Sequence, residues 1–129
     1  MNRQLVLVLL VGGVLIGACG KSDPAPSSSG GGGSDPATTF TITASGVSPR
    51  TMTVPRGTQV TFVNNDSRAH DMTSDPHPTH ENCPELNSVG LLSAGQRRQS
   101  ANLNTARTCG FHDHGLPSNT SLQGTITIQ

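Results

Sequence analysis

The sequence predicts an all-β domain, a sandwich or barrel of short strands, over residues 38–129. Three observations carry that expectation. Polar and apolar residues alternate in several short runs. Gly, Pro and Asn turn signals separate those runs at fairly regular spacing. No segment has a convincing helical stripe.

In chain order, Thr39–Thr43 (TFTIT) alternates with Phe40 and Ile42 on one face, and Thr51–Val54 does the same with Met52 and Val54. Pro55-Arg56-Gly57 is a turn. Residues 58–64 resume the alternation, with Val60 and Phe62 sharing a face, and Asn64-Asn65-Asp66-Ser67 marks the next turn. Residues 71–87 show no periodicity and contain Pro76, Pro78 and Pro84. They read as a long irregular loop, a kind of segment that is often functional in a compact domain. Gly90–Leu92 and residues 100–103 are weaker strand candidates around Ala94-Gly95, and Gly124–Ile128 is a clear last strand. Trp and Tyr are absent and Phe40, Phe62 and Phe111 are the only aromatic carbocycles, so the expected core is small and aliphatic and would gain from a metal or a disulfide.

Ahead of the domain, residues 1–18 read as a secretory signal. Arg3 opens it, and residues 5–16 are apolar apart from Gly12 and Gly13, a run too short for a confident membrane span. The run ends in Ile16-Gly17-Ala18-Cys19, which resembles the lipobox of bacterial lipoproteins, in which the Cys becomes the lipid-bearing N-terminus. Residues 19–37 are then the lipidated Cys and a flexible linker, SSSGGGGS flanked by Pro24, Pro26 and Pro36. The expected address is the envelope of a bacterium, at the periplasmic face of a membrane, with the domain tethered through Cys19. Eight Lys+Arg balance eight Asp+Glu and no basic block exists, which argues against a nucleic-acid partner.

Chemistry concentrates in Cys109-Gly110-Phe111-His112-Asp113-His114, just before the last strand. A thiolate and two imidazoles form a donor set for soft-to-borderline metals, copper and zinc above all. A remote histidine, His70, follows the run at 58–64.

The order of these elements resembles the cupredoxins, the plastocyanin- and azurin-like blue copper proteins, over about residues 39–129. The stretch VSPRTMTVPRGTQVTFVNND (47–66) is similar to the family's strand, V-x-x-G turn and strand ending in N-x-D. RAHDM (68–72) stands where the family has its first histidine ligand. GLLSAGQ (90–96) resembles the turn before the penultimate strands, and CGFH (109–112) with LQGTITI (122–128) resembles the ligand loop and terminal strand. The resemblance implies a Greek-key β-sandwich, a type 1-like copper, and single-electron exchange with a redox partner protein. Its ligands would be His70, Cys109 and either His112, at the C-x2-H spacing, or His114, at C-x4-H. Two departures stand out. Leu122 occupies the place of the weak axial Met, which is expected to raise the reduction potential. The segment 112–122 is longer than the family norm, and Ala106-Arg107-Thr108 replaces the usual aromatic residues before the Cys.

Three fates compete for Cys109: copper thiolate, disulfide with Cys83, or zinc ligand beside Cys83 and histidines. The first two exclude each other, because a disulfide sulfur has no thiolate to offer. Export to an oxidising compartment favours pairing of two thiols. With the disulfide formed, the imidazoles of His70, His112 and His114 alone would hold copper, in a copper-binding or structural module with no redox turnover. His77 and His80, at i and i+3, are either exposed loop residues, a second metal site, or the completion of a site with His112 and His114. Asp71 and Asp113 adjoin candidate ligands and either orient imidazole rings or form turns. An enzyme is not expected: no G-x-S-x-G, no H-E-x-x-H and no phosphate-cradling Gly loop occurs.

Overall fold

The structure is a computed structural model and describes residues 36–129. The expected signal peptide, the lipobox Cys19 and the linker up to residue 35 lie outside the described residues. Within them lie nine strands: β1 (Thr39–Thr43), β2 (Gly46–Ser48), β3 (Thr51–Val54), β4 (Thr61–Asn64), β5 (His70–Ser74), β6 (Gly90–Leu92), β7 (Arg97–Gln99), β8 (Arg107–Asp113) and β9 (Gly124–Ile128). They form two sheets, ordered β2-β1-β4-β7 and β3-β9-β8-β5-β6. β1 with β4 and β3 with β9 run parallel, and the other pairs are antiparallel. The chain crosses repeatedly between the sheets, giving the Greek-key sandwich that the sequence predicts. No α-helix occurs among the described residues.

The inward residues of the alternating runs meet between the sheets. Phe40 and Phe62 from the four-stranded sheet stack with centroids 5.0 Å apart. Phe111 of β8 meets them edge-on at 4.9 and 5.1 Å. All three aromatic rings therefore sit at the centre of the otherwise largely aliphatic core expected from composition. Ile42, Met72, Leu86, Leu92, Leu103, Leu122 and Ile126 fill the space around them. Gly124 faces Phe111 across the β8–β9 pair, and a Cβ there would run into the Phe111 ring and the Arg50 carbonyl.

Four elements depart from the sequence reading, the short β2 among them. β5 lies inside the stretch expected to be irregular. Its inward positions are His70, Met72 and Ser74, so two of three are polar and the apolar signal is masked. β8 carries Cys109 in mid-strand, where a ligand loop was expected. The weak candidate at 100–103 shifts to β7, a fully exposed edge strand of Arg97, Arg98 and Gln99 held by its ladder to β4, while Leu103 makes only an isolated bridge to Thr58.

Cys83 and Cys109 are bonded to each other, Cα atoms 5.7 Å apart, and both are fully buried. The bond fastens the segment after β5 to the middle of β8, the staple a domain of this size gains from, worth roughly 2–4 kcal/mol. Truncating the ring that joins the sheets should weigh comparably. Phe111→Ala is expected to destabilise the domain by about 3–5 kcal/mol in denaturant unfolding, with Phe111→Leu recovering much of it.

Candidate metal centre

Residues 75–83 form a loop pinned to β8 at both ends. At one end the Asp75 amide donates to the Gly110 carbonyl (3.0 Å). At the other, Cys83 is bonded to Cys109 and its amide donates to Ser74 Oγ (2.7 Å). Inside the loop, Asn82 N–H reaches Asp75 O (2.9 Å) and His80 N–H reaches Pro76 O (2.7 Å). Asn87 Nδ2 donates to His80 O (2.8 Å). His80 has φ +53°, a left-handed conformation that a β-carbon disfavours. A histidine where Gly or Asn would be less strained is the kind of local exception that clusters at functional sites.

This loop brings His77 and His80 against the histidines of β8. His112 lies on the strand, directly opposite Thr73 of β5. His114 follows the strand, its amide continuing the ladder to Asp71 O (2.7 Å). One nitrogen from each of His77, His80, His112 and His114 lies within 4.8 Å of the others. Ring centroids in the cluster are 4.9–5.6 Å apart for the five contacting pairs. Burial is graded: His112 is buried, His80 half-buried, His77 and His114 exposed.

His112 is the anchor. Its Nδ1 lies 2.5 Å from Asp75 Oδ1. A carboxylate only accepts, so Nδ1 donates, and in the neutral ring Nε2 is then the atom with the lone pair. That Nε2 is buried and has no hydrogen-bond partner among the described residues. Buried polar atoms are rarely left so, and a carboxylate behind a ligating imidazole is a recurrent way to fix its tautomer. Gly110 makes the contact possible, since a Cβ there would collide with Asp75 Oδ2. His114 Nδ1 lies 3.2 Å from His80 Nε2. Burial, then the neighbouring imidazoles of His112, His114 and His77, push the His80 pKa below its usual 6.5, favouring the neutral ring that a metal requires. Four neutral imidazoles converging on one point can hold a divalent or monovalent transition metal.

Of the four ligands expected from sequence, the structure brings together His112 and His114. It places His70 and Cys109 elsewhere. Side chains alternate across a strand. Cys109, Phe111 and Asp113 of β8 point into the sandwich, as do His70 and Met72 of β5, whereas His112 belongs to the opposite face. Cys109 is spent on the disulfide and has no thiolate to give. His70 is 1% exposed and uses both ring nitrogens, Nδ1 to Asp113 Oδ2 (2.7 Å) and Nε2 to Asp66 Oδ2 (3.0 Å). Asp113 thus serves His70 and not a cluster histidine, while its Oδ1 accepts from the Gly115 amide (2.9 Å). Leu122 packs in the core. His77 and His80 join the site, the third of the roles that their spacing allowed. Asp75 was missed by sequence reasoning. In sequence it is one more residue of a Ser-Asp-Pro turn, and only the pairing with Gly110 gives it a role.

The chain has the cupredoxin fold. Solved structures similar to it include a purple cupredoxin from Nitrosopumilus maritimus (TM-score 0.57, 22% identity, covering 71% of this chain and 99% of that one). The oxidised plastocyanin of Dryopteris crassirhizoma is another (0.55, 21%, 70% and 99%), and the Cu(I) form of a mutant amicyanin a third (0.58, 16%, 76% and 87%). A copper-containing nitrite reductase from Thermus scotoductus also matches, over 22% of its own length (0.56, 20% identity). No family model matches the sequence, and no curated protein does either.

Two outcomes follow from the Asp75–His112 pair and the interior triad. Asp75→Asn and Gly110→Ala should each weaken metal binding by about 10–100-fold in a chelator competition, with unfolding midpoints little changed for Asp75→Asn. The hydrogen bond from His70, the largest influence, pulls the Asp66 carboxyl from 3.8 to about 2, with Ser67 N–H and Arg68 adding to it against burial. A carboxylate lowered on folding stabilises the fold above its unfolded pKa and loses that contribution as pH falls through the folded one. Unfolding measured from pH 5 to pH 2 should therefore show a drop in stability over that range, and Asp66→Asn should flatten it.

Proposed function

We propose that this chain is a copper-binding module on a cupredoxin fold, holding copper through His77, His80, His112 and His114 and not through a thiolate. The observation that carries the reading is the buried Nε2 of His112, without a hydrogen-bond partner among the described residues, aligned by Asp75 and surrounded by three more imidazoles. Among divalent first-row ions an imidazole set binds Cu(II) most tightly, and fold neighbours such as the nitrite reductase and the amicyanin carry copper. Bound copper would supply a Lewis-acidic centre with two accessible oxidation states. The protein's own part is to present four imidazoles, to orient His112 through Asp75, and to keep the sulfurs out of reach on the far side of the sheet.

This favours holding or carrying copper over the single-electron relay that the family resemblance implies, since the His70–Cys109–His112 set does not converge. It also favours a binding protein over an enzyme. The nitrite reductase likeness spans a fifth of that protein, so it speaks for one domain only. With the lipid on Cys19, the site would stand off the periplasmic face of an envelope membrane on the linker of residues 19–37.

The test is a calorimetric Cu(II) titration of the chain purified without reductant, repeated on single His→Ala variants at 77, 80, 112 and 114. One copper per chain is expected. His112→Ala should abolish tight binding and each of the others should weaken it at least tenfold. Binding unaffected by all four substitutions would overturn the site. A second check separates backbone from ligand: His80→Asn, which suits the left-handed position, should keep or slightly raise stability while losing affinity.

A further inference from the structure

The four ligands come from two pieces of chain, and one covalent bond joins those pieces. His80 precedes Cys83 by three residues and Cys109 precedes His112 by three. The Cys83–Cys109 bond therefore ties the loop half of the site, His77 and His80, to the strand half, His112 and His114. It lies behind the site and not in it. Cys109 points into the sandwich and His112 away from it, and both sulfur-bearing residues are fully buried. Without the bond, hydrogen bonds remain to hold the loop to β5, β8 and the turn at Pro84–Ser88. Among them are Asp75 N–H to Gly110 O, Cys83 N–H to Ser74 Oγ, Asn87 Nδ2 to His80 O, and the Asp75–His112 and His80–His114 contacts, which are themselves part of the site.

Resting on the four-imidazole reading above, we propose that the Cys83–Cys109 disulfide is a redox lock on the metal site: the oxidised chain holds the metal tightly, and cleavage by a dithiol reductant releases it. In the step, the dithiol gives two electrons and two protons. The Cys83–Cys109 S–S bond breaks to two thiols, and the reductant closes its own disulfide. The metal undergoes no redox change. Freed at Cys83, the loop carrying His77 and His80 gains conformations that do not face His112, so a larger ordering entropy opposes binding. Linkage makes the effect reciprocal. If the disulfide tightens metal binding by some factor, bound metal stabilises the disulfide against reduction by the same factor. Because the bond is fully buried, a reductant reaches it only when the segment around Cys83 opens, and a metal clamped between His80 and His112 opposes that opening.

The experiment uses Zn(II), which has no redox chemistry of its own here, as the probe. Its affinity is measured by chelator competition on the oxidised chain and on the Cys83→Ser/Cys109→Ser double variant, whose folding is checked by near-UV circular dichroism. At least tenfold weaker binding is expected for the folded variant, and equal affinity overturns the lock. If the variant does not fold, the unmodified chain supplies the answer. The disulfide is reduced with a water-soluble phosphine and the thiols are counted by alkylation and mass, with and without Zn(II). Zinc should slow cleavage at least tenfold in the unmodified chain and leave it unchanged in His112→Ala. Equal rates with and without zinc in the unmodified chain would overturn the proposal. The two readings fail differently: metal that binds equally with the bond intact or cut sinks the lock alone, whereas an oxidised chain that binds no metal sinks the four-imidazole site as well.

Discussion

The two-residue period of β8 governs everything else in this molecule. It sends Cys109, Phe111 and Asp113 into the sandwich and turns His112 to the other face. Once the strand runs through Cys109, its sulfur is committed to the interior, where Cys83 meets it, and no metal on the outer face can reach it. The same alternation gives the core its third phenylalanine and gives His70 its carboxylate. A one-residue slip in β8 would exchange these roles wholesale, which is why the pairing with β5 and β9 on both sides matters.

Inside the sandwich, the buried polar side chains pair with one another. His70 hydrogen-bonds a carboxylate at each ring nitrogen, and Arg68 lies against Asp66 at 3.2 Å. These buried polar groups are thus hydrogen-bonded to one another, as burial requires. Asn64 braces the turn that delivers His70, its amide donating to Arg68 O and Leu92 O and its carbonyl accepting from Asp66 N–H. On the outer side, a glycine, an aspartate and a disulfide-tied loop assemble three further imidazoles around the buried His112 Nε2, which has no hydrogen-bond partner among the described residues. The fold's two faces therefore differ: the His70–carboxylate pairs and the disulfide lie inside, and the four clustered imidazoles lie on the other side.

Much of the architecture was legible because half-buried strands write themselves as alternation. β1, β3, β6 and β9 fall where TFTIT, TMTV, GLL and GTITI place them, and the Gly/Pro/Asn turns separate them. β5 and β8 were illegible because histidine, serine and aspartate occupy inward positions, and polar residues inside carry no apolar signal. β7 was missed because an exposed edge strand of two arginines and a glutamine needs only its ladder. At the site, the identity of the donors was readable: four of the five histidines, two shortly before Cys83 and two shortly after Cys109, do cluster. Their grouping was not. The motif C-x2-H resembles a ligand loop, yet spacing along a chain says nothing of which face a side chain takes until the strand is known. Asp75 escaped for a related reason, since its partners are a glycine and a histidine 35 and 37 residues further on.

The most direct measurement of the ligand set is X-ray absorption of the copper-loaded chain, read together with pulsed electron paramagnetic resonance to count coordinated imidazoles. The four-histidine site predicts a shell of nitrogen or oxygen scatterers with no sulfur, and several equivalent imidazoles coupled to Cu(II). A short copper–sulfur distance with only two imidazoles would contradict it, and would return Cys109 and His70 to the metal.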